Sequence, residues 1–383
     1  MKKLALVLAL CLAGVTGFAA EPGPAPTTNI YGIIDAGVRY DSNTNSKNID
    51  KTAVVTGMTA TSRLGFIGSE DLGAGQKAKF RLETSFFPST GAIGQQSSSG
   101  SVLFDRYSWV GFSDPELGEI QLGRNILAPY DFAAAGITDP LTQAMEGAGA
   151  PAVVNSNSGA LRFNQVINVV AATSSIKSSR SDGLIKYYNT IGDATVIVGF
   201  APGGVAGSSD LKDTFTAGVK YKLGPVTAAA STIRTTDAAN KNMAVNSYGA
   251  TGKVTDDITV TAGYHTVSTD VGYAPANLTT VATSTTVLGG VSGLGEKVST
   301  VGVKNQFTPK ISSTLAYYNG NYYNSVTASS GALKTAVLWN QYDFSRRTSV
   351  YLELDNARSS GGISQSTLAS NSVGGSLGLK HLF

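Results

Sequence analysis

The sequence offers very little thiol or imidazole chemistry. Its 383 residues include a single cysteine, Cys11, and only two histidines, His265 and His381. A disulfide needs two thiols, and a structural zinc site needs about four Cys or His ligands. The sequence therefore predicts a chain with no disulfide, no transition-metal site and no cofactor.

Charge is also scarce. Charged residues make up 14% of the chain, and the formal net charge is only +3, whereas soluble domains average about 25% charged residues. A nucleic-acid-binding protein would show a concentrated basic patch or a strongly basic balance. We therefore predict no nucleic-acid partner.

Long apolar runs are missing except at the N terminus. Lys2 and Lys3 precede an apolar stretch, Leu4–Val15, and the small residues of Gly17–Ala20 follow it, which is typical of a secretory signal peptide. We expect residues 1–20 to be this signal, with an uncleaved anchor as the alternative, and residues 21–383 to form one domain. No later run reaches the roughly eighteen apolar residues of a membrane-spanning helix, so the exported chain is either soluble or a barrel.

Alternating side chains dominate what is present. In Gly75–Phe87 the apolar Phe80 and Leu82 fall on one face, and the charged Arg81 and Glu83 fall on the other. Asn29–Asp41 alternates in the same way. A soluble β-sandwich also carries one apolar face, but these segments reach the length of about ten residues that a tilted strand needs to cross a bilayer.

The connections between strands fall into two kinds. Seven are short and mostly carry Gly, Pro or Asp, as tight turns do; eight are longer and rich in Ser, Asn, Thr and Gly. This pattern predicts an all-β fold, a single 16-stranded antiparallel transmembrane β-barrel with both termini on the short-turn side. The longer connections lie near residues 42–59, 88–101, 125–181, 202–211, 236–244, 269–297, 321–331 and 358–371.

The connection at 125–181 is unusually long, and loops of this length are uncommon unless they are functional. Its middle is small and apolar, "AAAGITDPL" and "GAGAPAVV". We expect this third loop to fold inward against the barrel wall, and a mobile external loop is the alternative.

Several segments resemble the general porins of β-proteobacterial and neisserial outer membranes. The strongest is Ser62–Glu83, "SRLGFIGSEDLGAGQKAKFRLE", and "IYGIIDAGV", "FDRYSWVGF", "LGEIQLGRN", "YDFSRRTSVY" and "LGLKHLF" are similar to other parts of that family. The resemblance implies a homotrimer of sixteen-stranded barrels in which loop three narrows the pore. This chain departs from the pattern in its longer third loop and in Gln76, where a large apolar residue is common.

Strand phase predicts which charges face the lumen. The inward acids are Asp35, Glu83, Glu353 and Asp355, and Asp131, Asp139 and Glu146 are the candidate acids of the inward loop. Basic residues outnumber acids on the wall, so we expect weak anion preference from a pore whose selectivity depends on its lining charges. The predicted pore-lining basic residues are Arg39, Arg63, Lys77, Lys79, Arg81, Arg106 and Lys186, with Lys380 as a further candidate.

The chain ends on an alternating strand, "SLGLKHLF". Leu379, His381 and Phe383 share its predicted outward face, which places the final ring at an aromatic girdle. The resemblance implies that the β-barrel assembly machinery reads this terminal signature. Outer-membrane lipid and lipopolysaccharide are the other expected partners.

The leading functional hypothesis is a passive channel for small hydrophilic solutes and ions. An outer-membrane barrel enzyme and an adhesin are the alternatives. Gly374–Gly378 fits the G-x-S-x-G pattern of a nucleophile elbow, but it lies inside a predicted strand, whereas that motif needs a strand-turn-helix context. We therefore expect no enzymatic activity.

Overall fold

The fold is described by a computed structural model of the chain. It describes residues 26–42, 50–56, 58–93, 102–142, 180–206, 208, 211–274, 292–362 and 370–383. The predicted signal peptide and Glu146 lie outside these residues. Within the described ranges, no helix has the length and apolar character needed to cross a membrane.

The described chain is almost entirely β-strand. Seventeen strand segments and one short inward helix, α1 (Ala128–Ala134), are present in the described ranges. The strands are β1 (Thr27–Asp41), β2 (Lys51–Thr56), β3 (Arg63–Gly73), β4 (Gln76–Ser85), β5 (Tyr107–Asp114), β6 (Gly118–Ile126), β7 (Arg180–Ile191), β8 (Ala194–Ala201), β9 (Thr214–Leu223), β10 (Val226–Thr236), β11 (Asn242–Lys253), β12 (Ile258–Thr269), β13 (Leu294–Thr308), β14 (Ile311–Asn324), β15 (Ser329–Asp343), β16 (Thr348–Gly361) and β17 (Asn371–Leu382).

The sheet is a closed antiparallel barrel. Each strand from β3 to β17 pairs with its neighbour in sequence, and β1 pairs with β17 from Ile33 opposite Leu382 to Asp41 opposite Gly374. The segments β2 and β3 pair with different halves of β1 and share one position in the wall. The wall therefore has sixteen positions, as predicted, and closure leaves no unpaired edge.

The two faces of the wall have opposite character. On β1 the polar Asp35 and Arg39 are buried on the inner face, whereas Ile34 and Val38 on the outer face leave 42% and 52% of their surface exposed. On β17, too, the polar Ser376 is buried on the inner face and the apolar Leu377 is exposed on the outer face. An apolar exterior around a polar interior is the pattern of a barrel whose outside meets lipid.

The seven short connections are confirmed as turns on the side of the barrel that holds both chain ends. Several of the eight connections on the other side differ from the prediction: the loop predicted at 42–59 contains strand β2, and the connections predicted at 236–244, 269–297, 321–331 and 358–371 are shorter. Strands β14 and β15 continue until a turn at residues 325–328, so most of the predicted 321–331 loop is strand, and β10 and β11 are joined by residues 237–241 only. The asparagines near 319–324 suggested a loop, but Asn319 and Asn321 pair in register with Lys334 and Ala332 of β15.

Candidate pore constriction

The third loop turns into the barrel directly after β6. Leu127 is extended and buried, and α1 then packs against β8, β9 and β10. The backbone N–H of Ala128 donates to Thr216 Oγ1 on β9 at 3.1 Å, while Phe132 lies in an apolar cluster with Ile197 of β8. For residues 127–142 the inward fold is confirmed, and the external-loop alternative is wrong.

The loop is then held by hydrogen bonds from the inner wall to one carbonyl. His265 Nε2 on β12 donates to the oxygen of Thr138 at 3.1 Å, and Thr300 Oγ1 on β13 donates to the same oxygen at 3.4 Å. Because Nε2 carries the donated proton, Nδ1 of a neutral His265 accepts from Ser247 Oγ at 2.9 Å. His265, which carried no predicted role, therefore positions loop three.

Glycine makes this close approach feasible. A Cβ at Gly263 would lie 2.0 Å from the oxygen of Thr138, and a Cβ at Gly302 would lie 2.3 Å from Pro140 Cβ. Both distances are far shorter than a van der Waals contact. At these two positions the inner wall carries no side chain, so loop three lies close to the strand backbone there.

The predicted loop acids have separate partners. Asp131 on α1 pairs with Lys186 of β7, with Oδ2 and Nζ 2.8 Å apart. Asp139 is fully buried and accepts from the hydroxyl of Tyr318 on β14 at 2.8 Å. The structure therefore does not bring the two acids together, because one lies beside β7 and the other beside β14.

Three predicted basic residues lie close together: Arg63 on β3, Arg81 on β4 and Arg106 directly before β5. Arg106 Nε lies 2.5 Å from Glu83 Oε1, and Arg81 Nη2 lies 2.8 Å from Glu83 Oε2. Both guanidinium groups therefore bind the carboxylate of Glu83. Arg63 begins β3 on the same inner face, directly opposite Ser85 of β4.

Aromatic rings extend this basic wall towards the loop. The guanidinium carbon of Arg81 lies 3.8 Å from the ring centre of Tyr107. That of Arg180 lies 5.8 Å from the same ring and 5.1 Å from the ring of Tyr130 on α1, within the usual range of cation–π contact. Arg180 was missed in the sequence because it falls at the end of the stretch interpreted as a loop.

Arg39 is in a different environment. Its side chain is buried and faces three carboxylates, with Asp41 at 2.5 Å, Asp355 at 2.8 Å and Glu353 at 3.7 Å. Its positive charge is outnumbered, so this sector of the inner wall is acidic. The alternation of the strand predicted that Arg39 faces inward, but it did not predict the three carboxylates around its guanidinium group.

The remaining predicted basic residues lie towards the short-turn end. Lys79 pairs with Glu119 at 2.8 Å, and Lys77 is exposed and lies opposite Asp71 next to the first turn. Their neighbours therefore lie near the first turns and not in the described part of loop three, residues 127–142. Their role in the pore stays a prediction.

The terminal residues face outward as predicted. The final backbone pairs with β1 through bonds from Gly32 N to Phe383 O at 3.1 Å and from Phe383 N to Gly32 O at 3.2 Å. The phenyl ring covers Gly32, since a Cβ there would lie 2.2 Å from Phe383 Cζ. His381 is exposed and lies 2.9 Å from Thr348 Oγ1, and Leu379 is exposed.

A closed sixteen-position barrel with an apolar exterior, a charged inner wall and an inward loop defines a transmembrane channel of the outer-membrane type. The Gram-negative porin family matches residues 5–362. The chain belongs to this family, and its place is the outer membrane. The family and the fold point to a channel rather than an enzyme.

Individual relatives agree with this assignment. The chain is 28% identical over 263 residues to an outer membrane porin protein of Bordetella pertussis, covering 60% of this chain and 59% of that protein. It is 34% identical over 144 residues to outer membrane porin protein 32 of Delftia acidovorans, covering 36% and 37%. The match thus spans less than two thirds of the length of either relative.

Among solved structures, the anion-selective porin from Comamonas acidovorans has the same fold. The TM-score is 0.70 at 20% sequence identity, and the alignment covers 94% of this chain and 100% of that one.

Proposed function

We propose that this protein is a passive channel that lets small hydrophilic solutes and ions cross the outer membrane, with a weak preference for anions. The observation that carries the preference is the cluster of guanidinium groups on the inner wall beside loop three. Arg81 and Arg106 share the single carboxylate of Glu83, and Arg63 and Arg180 lie on the same side. Fixed positive charge in a narrow pore raises the local concentration of anions. The comparison with an anion-selective porin supports the same sign.

Conductance across a planar lipid bilayer tests both parts of the proposal. The purified protein should give stable unitary current steps, and the reversal potential in a KCl gradient should have the sign of chloride preference. Absence of steps would refute the channel. Cation preference in a conducting protein would refute only the charge argument.

A matched pair of variants tests where the preference arises. Arg81→Ser should reduce the anion preference, because it removes a guanidinium group beside Tyr107. Lys77→Ser removes one positive charge at the short-turn end and should change the preference less. Equal effects would show that the preference comes from overall charge rather than from the arginine wall.

An enzyme is the main alternative, and one contact bears on it. Ser247 and His265 form a serine–histidine hydrogen bond of 2.9 Å. Both residues are buried beneath loop three, and no carboxylate among the described residues bonds the histidine, whose other nitrogen donates to a backbone carbonyl. A catalytic triad needs an exposed nucleophile and a histidine oriented by an acid, so this pair is better explained as the anchor of the loop.

We also propose that copies associate as a homotrimer, as the family resemblance implies. The broad apolar outer face of β1, β16 and β17, with Val38, Leu352 and Leu377 exposed, suits contact with lipid or with a second copy. Light scattering of the protein in detergent measures the stoichiometry. A monomer that gives single rather than grouped conductance steps would refute the trimer.

A further inference from the structure

The connection between β2 and β3 is longer than their pairing with β1 requires. Thr56 lies opposite Ala36 of β1, and Arg63 lies opposite Ile33. Three steps along β1 therefore correspond to seven steps along its partner, so the connection carries four extra residues. We call the described part of this connection, residues 58–62, the ledge.

The ledge projects into the barrel. Met58 is fully buried and lies in an apolar cluster with Trp339 of β15 and Tyr351 of β16. Both aromatic side chains are on the inner face, since their neighbours Leu338 and Leu352 are exposed on the outer face. A side chain that packs against inner-face rings must itself be inside the wall.

A buried carboxylate fixes this position. Asp35 Oδ2 accepts from the backbone N–H of Thr59 at 2.8 Å and of Ala60 at 3.0 Å, and it also accepts from the hydroxyl of Thr59. Its Oδ1 accepts from Tyr351 on β16 at 2.6 Å. A carboxylate with four donors is a strong clamp, so the ledge is a built element of the inner wall.

Loop three reaches the same place from the other direction. It leaves β6, crosses β9 at Ala128 and β12 at Thr138, and contacts β14 at Asp139. Leu141 then packs against the apolar cluster that holds Met58. Together, loop three and the ledge form a nearly continuous inner belt, and the wall that faces this belt carries the arginines of β3 and β4.

We propose that the ledge is a second constriction element, which completes the belt begun by loop three and confines the conducting path to the arginine wall. This inference rests on the proposed channel function. Ala60 is the residue to probe, because it is partly exposed, it is small, and its backbone rather than its side chain bonds Asp35. A charge placed there should act directly on the permeating ions.

Cysteine modification tests the inference cleanly, because Cys11 is the only cysteine in the sequence. In a Cys11→Ser background, Ala60→Cys would be treated during single-channel recording with an anionic and, separately, a cationic methanethiosulfonate reagent. Both reagents should lower the conductance by adding bulk. The anionic one should also decrease the anion preference, and the cationic one should increase it.

Val54→Cys is the matched control, since Val54 is exposed on the outer face of the adjoining β2. Its modification should leave conductance and selectivity unchanged. Mass spectrometry confirms labelling at each site. Complete labelling of Ala60→Cys without a change in current would overturn the ledge proposal, whereas failure of the unmodified background to conduct would instead overturn the proposed function.

A second variant tests the clamp without any reagent. Asp35→Asn replaces an acceptor of four hydrogen bonds with a group that has only one acceptor oxygen. The loosened ledge should increase open-channel current noise in a barrel that still folds, as judged by its heat-sensitive migration on gels. A quiet channel with the parent conductance would contradict the role of Asp35.

Discussion

Replacement of Gly263 by alanine should move loop three off the wall and leave the barrel intact. The added Cβ would lie 2.0 Å from the oxygen of Thr138 and 2.7 Å from Thr300 Oγ1. Carbon and oxygen atoms need roughly 3 Å or more, so the loop must retreat by about 1 Å. The only free direction is towards the lumen.

That retreat lengthens two hydrogen bonds at once. The bonds from His265 and Thr300 to Thr138 O are already 3.1 and 3.4 Å long, and a further displacement of about 1 Å takes both beyond hydrogen-bonding distance. Each bond contributes a net ~0.5–1.5 kcal/mol, so the seated position loses about 1–3 kcal/mol. A bias of that size corresponds to a change of roughly 5- to 150-fold in the ratio of seated to displaced loop.

Single-channel recording is the assay. Gly263→Ala should show a lower conductance, because the loop enters the lumen, and greater current noise, because its position is less fixed. Gly375→Ala is the control, since a Cβ on that outer-face residue would meet only Leu354 Cδ2 at 3.4 Å and Glu353 O at 3.7 Å. If Gly263→Ala folds and gives the same conductance and noise as Gly375→Ala, the proposed seating of loop three is wrong.

Three further predictions concern the wall itself. Phe80→Arg places a charge on the outer face, where the cost at the middle of a bilayer is about 2–4 kcal/mol, and urea unfolding in liposomes should show this loss. Glu296→Leu should raise the free energy of unfolding by about 1–3 kcal/mol, because neither carboxylate oxygen of this buried residue has a hydrogen-bond partner in the described part of the chain; Glu353→Leu, which leaves Arg39 with one fewer carboxylate, should be destabilising in the same assay. Deletion of Phe383 removes two backbone bonds to Gly32 and should reduce outer-membrane insertion in cell fractionation more than it changes the conductance of refolded protein, and normal insertion would contradict the assigned role.

The parts of the fold that follow from local pattern were predictable. A strand of this barrel has lipid on one side and water on the other, so its side chains alternate with period two. On β4 this pattern correctly separated Phe80 from Arg81, which lies opposite the inward Trp109. The same argument applied to every strand gives the number of wall positions and the closure.

The parts that depend on distant contacts were not predictable. Met58 and Thr59 of the ledge fall at the end of the loop predicted at 42–59, and the position of the ledge is fixed by Asp35 and Tyr351, which are 316 residues apart in sequence. The role of His265 depends likewise on Thr138, 127 residues away. The local sequence pattern cannot predict such a pairing, because every inner-face residue follows the same alternation with period two, whatever its distant partner is.

The contrast between Arg39 and Arg81 shows why phase alone could not give the selectivity. Both arginines point inward, and counting inward charges treats them alike. Arg39 faces three carboxylates, whereas Arg81 shares one carboxylate with Arg106. The inner wall therefore has an acidic sector at β1 and β16 and a basic sector at β3 and β4. A permeating ion responds to the charges nearest its path, so the proposed confinement of that path to the arginines of β3 and β4 makes the basic sector decisive.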